Sequence, residues 1–135
     1  MKSFTQDDIK DKELLEKLIN EEADRIYKSE TARHNRSYDN IYSTVKQGKI
    51  AEMYLVESGR FKFADLKWHD LVSANLDGTI EYSEVKAYDV DDWNSPYVQR
   101  DIARYRSEKW CKSTWYYLFQ YRNATYKLLA VLRIK

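Results

Sequence analysis

The period of the hydrophobic pattern changes at Ser58-Gly59, and this change constrains the fold more than any other feature of the chain. Before it, apolar residues recur at helical spacing from Ile9 to Ile26, and a second helical segment begins near Tyr38. After it, apolar and polar residues alternate as they do in strands. The pair Asp77-Gly78, between two alternating runs, is typical of a tight hairpin turn. The pattern predicts two helices followed by antiparallel strands.

Caps and breakers set the predicted ends of the helices. The first helix is predicted from about residue 6 to 28, with Thr5 as its N-cap. A polar, basic connection follows at residues 29–37, and the second helix then begins, is interrupted near Gly48 and ends at Ser58-Gly59.

The rest of the chain is predicted to be mostly strand. Three strands occupy residues 61–68, 69–76 and 79–90, and a helix then begins at Asn94 or Ser95, with the single proline in its first turn. Two aromatic, β-branched strands, residues 113–122 and 124–134, close the chain. The predicted order is helix, helix, three strands, helix, two strands, which indicates an α/β fold.

Composition excludes several classes of protein. The 135 residues suit one domain, and the 43% hydrophobic and 33% charged content is that of a globular chain. The N-terminus has no apolar core for a signal peptide, and the longest apolar run near the end, residues 128–132, is too short to cross a membrane. One cysteine and two histidines do not suit an internal disulfide or a tetrahedral zinc site, so we expect a cytoplasmic protein, a phage-encoded one included.

The net charge of +1 conceals an uneven distribution of charged residues. Residues 51–98 carry ten acidic and four basic side chains, whereas residues 99–135 carry nine basic and two acidic ones. An acidic middle beside basic flanks is suited to holding a divalent cation next to a polyanion, although blocks of charge also occur on ordinary solvated surfaces.

A group of acidic and basic residues in the middle of the chain suggests phosphodiester chemistry. Glu84 and Lys86 are two apart in a predicted strand, so they point to one face while Val85 points to the other. The hairpin brings Asp70 near them, although the register cannot be read from sequence alone. Hydrolysis of a phosphodiester needs an activated water and stabilisation of negative charge, which carboxylate-held Mg²⁺ and a lysine can supply.

These residues resemble the PD-(D/E)XK nuclease superfamily, which has the restriction-endonuclease-like fold. The resemblance rests on Asp70, a hairpin of suitable length and Glu84-Val85-Lys86, with Glu52 upstream in a helix and Gln99 downstream in the next helix. The order of elements from Gly48 to Lys135 follows the helix, three strands, helix and strand of that superfamily, with an added final strand. His69 stands where the motif often has proline.

The resemblance implies a fold, an activity and site roles. It implies a restriction-endonuclease-like mixed sheet of about five strands flanked by helices, with residues 1–36 as an N-terminal helical extension and 37–135 as the catalytic core. It implies a DNA endonuclease dependent on Mg²⁺, with Mn²⁺ as a substitute, in which Asp70, Glu84, the Val85 carbonyl and Glu52 bind metal. Lys86 would hold the attacking water, and Gln99 would contact Lys86 or a phosphate. A homodimer is expected for so small a nuclease, and the apolar stripe of the first helix would serve either as its seam or in packing within the chain.

Basic residues flank the predicted site on both sides. Those expected to contact DNA phosphates are Arg33, Arg36, Lys46, Lys49, Arg100 and Arg104.

Other interpretations of the sequence stay open. Asp65 competes with Asp70 for the role of metal ligand, although its alternation phase is opposite. His69 is better suited to packing than to base catalysis, since its odd offset turns it away from the site. The chain could also be a non-catalytic nucleic-acid or protein binding module on the same fold, or an interaction protein whose acids lie on the surface.

Overall fold

The computed structural model describes residues 2–65 and 69–135. A short 3-10 turn, Gln6–Asp8, precedes four α-helices and five β-strands in the described part of the chain. Their bounds are α1 Lys12–Lys28, α2 Glu30–Arg33, α3 Tyr38–Glu57, β1 Lys62–Phe63, β2 Leu71–Ala74, β3 Ile80–Tyr88, α4 Pro96–Ser107, β4 Ser113–Arg122 and β5 Thr125–Arg133.

The strands form one mixed sheet in the order β1-β2-β3-β4-β5. Strands β1, β2 and β3 are antiparallel neighbours, β3 and β4 are parallel, and β5 is antiparallel to β4. Helix α4 supplies the crossover that a parallel pair requires. The prediction of an α/β protein with a mixed sheet of about five strands is confirmed.

Each face of the sheet packs against its own helices. On one face, Val85 of β3 and Phe119 of β4 belong to a core shared with α1 and α3. On the other face, Tyr116 of β4 packs with Val98 and Ile102 of α4. Strand alternation therefore sends odd-numbered residues of β3 towards α1 and α3, and Glu84 and Lys86 towards the α4 face.

The first helix is shorter than predicted. Thr5 does form a capping box, but with Asp8 of the 3-10 turn, which ends at the buried Ile9. Asp11 instead caps α1 by accepting a hydrogen bond from the Leu14 amide. The chain must leave helical geometry between these two caps because Ile9 turns inward to the core.

The apolar stripe of α1 is used within the chain. Its buried residues, Leu15, Ile19 and Ala23, lie in the same core as Ile41 and Val45 of α3. The apolar stripe of α1 therefore packs within the chain. This was one of its two expected uses, and the other was a dimer interface.

The predicted connection and the predicted break in the second helix both differ from the structure. Residues 29–37 include the short helix α2. Helix α3 runs without interruption through Gly48 because its buried residues on either side, Val45 and Ile50, anchor both halves to one core. Its end at Ser58-Gly59 agrees with the prediction, and Gly59 has φ of +89°.

The strand predictions agree with the structure in order and differ in length. Of the strand predicted over 61–68, only Lys62–Phe63 pairs, and residues 66–68 lie outside the described part of the chain. The hairpin connection has three residues rather than two, because Asn75 pairs with Thr79 and Gly78 takes the left-handed conformation, φ +88°. No helix in the described residues is long and apolar enough to cross a membrane.

Candidate active site

The hairpin register places Asp70 opposite Glu84. Leu71 pairs with Ser83 and Val72 with Tyr82. The same register, continued to the residue just before β2, places Asp70 opposite Glu84. Directly opposed residues in an antiparallel pair project from the same face, where their side chains lie close together. The register that sequence left open thus brings the two predicted ligands together.

Two hydrogen bonds join these residues through the backbone. The Asp70 amide donates to Glu84 Oε2 at 3.3 Å, and the Val85 amide donates to Asp70 Oδ2 at 2.9 Å. Glu84 is only 2% exposed, so its carboxyl group is almost completely removed from water. These hydrogen bonds therefore hold Asp70 just before β2 and Glu84 in the middle of β3.

Helix α3 adds a third acid to the site. Glu52 is 7% exposed, and its Oε1 lies 3.2 Å from Lys49 Nζ, one helical turn earlier. Lys49 also lies 3.4 Å from Glu22 Oε2 of α1. We call the four acids of this site and the lysine among them the acidic cluster: Glu22, Glu52, Asp70 and Glu84 together with Lys49.

Burial and mutual repulsion hold the acids of this cluster towards their neutral forms. Loss of water and then the negative charge of Asp70 raise the pKa of Glu52 to about 8, and the same two causes raise that of Glu84 to about 8. Burial also raises the pKa of Asp70, against the opposing effects of Lys86, the Val85 amide and Lys49. Asp70 is the acid with which both glutamates interact.

Lys86 lies beside the acids on the α4 face. Burial alone would lower its pKa, but Tyr105 and Asp70 outweigh that effect and raise it. Its Nζ lies 5.9 Å from the centre of the Tyr105 ring. The side chain is therefore a cation at neutral pH, suited to donating hydrogen bonds rather than to accepting a proton.

Helix α4 places Tyr105 next to Lys86, where the sequence predicts Gln99. The Gln99 side-chain amide donates to the Trp93 carbonyl at 2.7 Å, at the exposed start of the helix. Val98, Ile102 and Tyr105 form the buried stripe of α4, and Gln99 lies outside it. That stripe, at positions i, i+4 and i+7, could have identified Tyr105 from the sequence as a buried residue of the helix, but not its contact with Lys86.

Asp65 and His69 have other contacts. The Tyr82 hydroxyl donates to Asp65 Oδ1 at 3.4 Å, where Asp65 is exposed. His69 Nε2 accepts a hydrogen bond from the Lys112 amide at 2.9 Å, and its ring lies against Tyr82. The geometry favours Asp70 over Asp65 as the partner of Glu84.

The basic residues predicted to contact phosphates differ in their surroundings. Lys49 points into the acidic cluster, with 13% of its side chain exposed, because Glu22 and Glu52 attract it there. Arg33 and Arg36 donate to each other's backbone carbonyl groups around α2. Both arginines precede α3 in the chain, and the start of α3 lies roughly 20 Å from Glu52 along the helix axis.

The other three predicted phosphate contacts lie on α3 and α4. Arg100 and Arg104 stand over the rings of Tyr97 and Tyr105, at 5.7 Å and 5.0 Å from the ring centres. Lys46 lies on α3 and is partly buried. Arg104 is thus the basic side chain of this set that shares a tyrosine with Lys86.

Glu22 had no signal in the sequence. It lies 27 positions before Lys49 on a different helix, and only the packing of α1 on α3 brings the two together. Among the described residues, no three Asp, Glu, His or Cys side chains are already arranged around a common point as metal ligands.

Comparison with protein-family models, with curated proteins and with solved structures gives no match for this chain.

Proposed function

We propose that the protein is a metal-dependent endonuclease that hydrolyses DNA phosphodiester bonds. The observation that carries the proposal is the juxtaposition of two buried acids, Asp70 and Glu84, with the cationic Lys86 on one strand pair. Structural acids are mostly exposed or paired with arginine or lysine, whereas Glu84 is buried and its nearest bonded neighbour is the Asp70 amide.

The donor atoms of the site suit Mg²⁺. Carboxylate and carbonyl oxygens are the ligands that hard divalent cations prefer, and Asp70, Glu84 and the Val85 carbonyl offer such a set. Burial and Asp70 raise the pKa of Glu84 although Lys86 acts to lower it, which means that the ionised site would gain by binding a further cation. Mn²⁺ has similar ligand preferences and would serve as a substitute.

Each residue then has a distinct task in the proposed reaction. Asp70 and Glu84 hold the cation, and the Val85 amide holds the Asp70 carboxylate in position. Bound Mg²⁺ would polarise the phosphate and lower the pKa of the attacking water. Lys86 donates hydrogen bonds to that water or to a phosphate oxygen, and Tyr105 fixes the ammonium.

The topology supports the same proposal. Helix α3, the antiparallel strands β1 to β3, helix α4 and the parallel strand β4 follow one another in the order that the PD-(D/E)XK resemblance implies. In that interpretation α1 and α2 are an N-terminal extension, β5 is an added strand, and a homodimer would place one site at each DNA strand.

The test is cleavage of supercoiled, branched and single-stranded DNA by the purified protein with Mg²⁺, with EDTA as the control. We expect cleavage that requires the metal, and Glu84→Gln should abolish it without unfolding the protein, because the variant keeps the shape of the side chain and removes a ligand charge. A folded Glu84→Gln variant that retains most of the Mg²⁺-dependent activity would refute the proposed site. A wild-type protein that binds DNA but never cuts it would favour a binding module.

A further inference from the structure

Lys49 and Glu22 have no task in the proposed cleavage, yet both belong to the acidic cluster. Lys49 Nζ lies 3.2 Å from Glu52 Oε1 and 3.4 Å from Glu22 Oε2. Its charge also acts on Asp70, whose pKa it lowers. An ammonium group thus lies in contact with two carboxylates and within electrostatic reach of a third.

The packing of helices keeps Lys49 in this position. The buried face of α1 packs on α3 through Leu15, Ile19 and Ala23, and this brings the Glu22 carboxyl group within 3.4 Å of Lys49 Nζ. The ammonium also lies 5.6 Å from the centre of the Phe63 ring, which adds a cation–π contact. Two carboxyl groups and an aromatic ring thus surround the Lys49 ammonium, and these are the surroundings of a cation-binding place.

A divalent ion on Glu52 would have to share that place with the ammonium. Two like charges at such short range repel strongly in a partly buried site. Glu84 interacts with Asp70 and Lys86, whereas Glu52 interacts with Asp70, Lys49 and Glu22. Asp70 therefore connects two halves of the cluster, and in the Glu52 half the ammonium of Lys49 lies in direct contact with the carboxyl group.

We propose that Lys49, held by Glu22, fills the place that a second divalent ion would occupy beside Glu52, so that the site takes one divalent ion. This inference rests on the proposed metal-dependent function. In it Glu52 is the partner of Lys49 rather than a metal ligand, and α1 is part of the site because it supplies Glu22.

The test counts bound Mn²⁺ on the full chain without DNA, by electron paramagnetic resonance of the free ion. The wild-type protein should bind one ion. Lys49→Ala should bind a second ion, with a dissociation constant within about tenfold of the first, because Glu22, Glu52 and Asp70 are left without the ammonium. Adding Glu22→Gln to Lys49→Ala should remove the second ion again.

The matched controls are Lys17→Ala and Glu21→Gln, which alter an exposed ion pair on α1 with a separation of 3.9 Å and should leave the count at one. Lys49→Gln replaces Lys49→Ala if the latter does not fold, since the amide can still donate to Glu52.

Three outcomes would overturn the inference, and they are distinguishable from one another. Two ions of similar affinity in the wild type, or one ion of unchanged affinity in a folded Lys49 variant, would show that Lys49 does not replace a metal, and would leave the proposed nuclease intact. A wild-type protein that binds no Mn²⁺ would refute the proposed function itself.

Discussion

At the scale of single residues, the chemistry depends on how buried charges are compensated. Glu84 accepts a hydrogen bond from the Asp70 amide, and Asp70 accepts a hydrogen bond from the Val85 amide. These bonds leave further carboxylate lone pairs for a cation, because an ionised carboxylate accepts about four hydrogen bonds. Lys86 supplies a positive charge next to them, and its raised pKa keeps that charge at every physiological pH.

Lys86→Ala should slow cleavage far more than it weakens DNA binding. The ammonium lies beside the two acids, while other basic residues supply the long-range attraction to the polyanion. We expect the single-turnover rate with Mg²⁺ to fall on the order of 100-fold, and the dissociation constant measured with Ca²⁺ to stay nearly unchanged. Charge reversal at Arg104 should give the opposite pattern. Loss of affinity with an unchanged rate in Lys86→Ala would make this lysine a phosphate clamp.

At the scale of elements, helix α4 decides which side chain contacts Lys86. The helix begins at Pro96 near Tyr88, whose ring lies 6.4 Å from that of Tyr97 and whose hydroxyl donates to Asp101, and it contacts Lys86 at Tyr105. The helix and strand β3 therefore run in opposite directions. For that reason Gln99, near the beginning of α4, lies at the far end of the strand from Glu84.

Tyr105→Phe should lower the cleavage rate with little effect on DNA binding or folding. The change removes the hydroxyl whose hydrogen bonding raises the pKa of Lys86 and keeps the buried ring. A hydrogen bond to a charged group corresponds to about a tenfold change in rate. Tyr97→Phe, which alters an exposed tyrosine of the same helix, is the control. An unchanged rate would show that Tyr105 only packs.

At the scale of the whole molecule, the acidic cluster joins parts of the chain that are distant in sequence. It combines Glu22 of α1, two residues of α3, Asp70 before β2 and Glu84 of β3. Protons or a cation must balance its negative charge in the folded state. The stability of the fold should therefore depend on both pH and divalent metal.

The metal-free protein should lose stability as the pH rises from about 4.5 to about 8. Burial and Asp70 raise the pKa of Glu52 and Glu84 from 4.5 to about 8 in the folded state. Between these values the folded protein holds protons that the unfolded chain has released, so the free energy of unfolding falls with rising pH.

Thermal unfolding in EDTA across this range measures the effect. Glu84→Gln should flatten the dependence because one of the two titrating groups is gone, and Mg²⁺ should raise the melting temperature most at the alkaline end. The same slope in the wild type and in Glu84→Gln would contradict the shifted pKa of this residue.

Local patterns in the sequence were sufficient to predict the order of elements, apart from the short helix α2, and the shared face of Glu84 and Lys86. The Asp77-Gly78 turn and the alternation around it predicted the hairpin, and the spacing of Glu84 and Lys86 placed them on one face. These features depend on residues a few positions apart, whose geometry is set by the backbone itself.

The tertiary structure alone decided the register at Asp70, the inward position of Lys49, the recruitment of Glu22 and the choice of Tyr105 over Gln99. Each of these depends on how one element packs against another, and a helix or strand pattern carries no information about that. In the sequence, Lys49 and Glu22 cannot be distinguished from ordinary solvated residues of two helices. They come together only because the apolar stripe of α1 is buried against α3. The physical reason is that packing of apolar side chains determines the arrangement of the elements, and the charged residues take the positions that this arrangement leaves them.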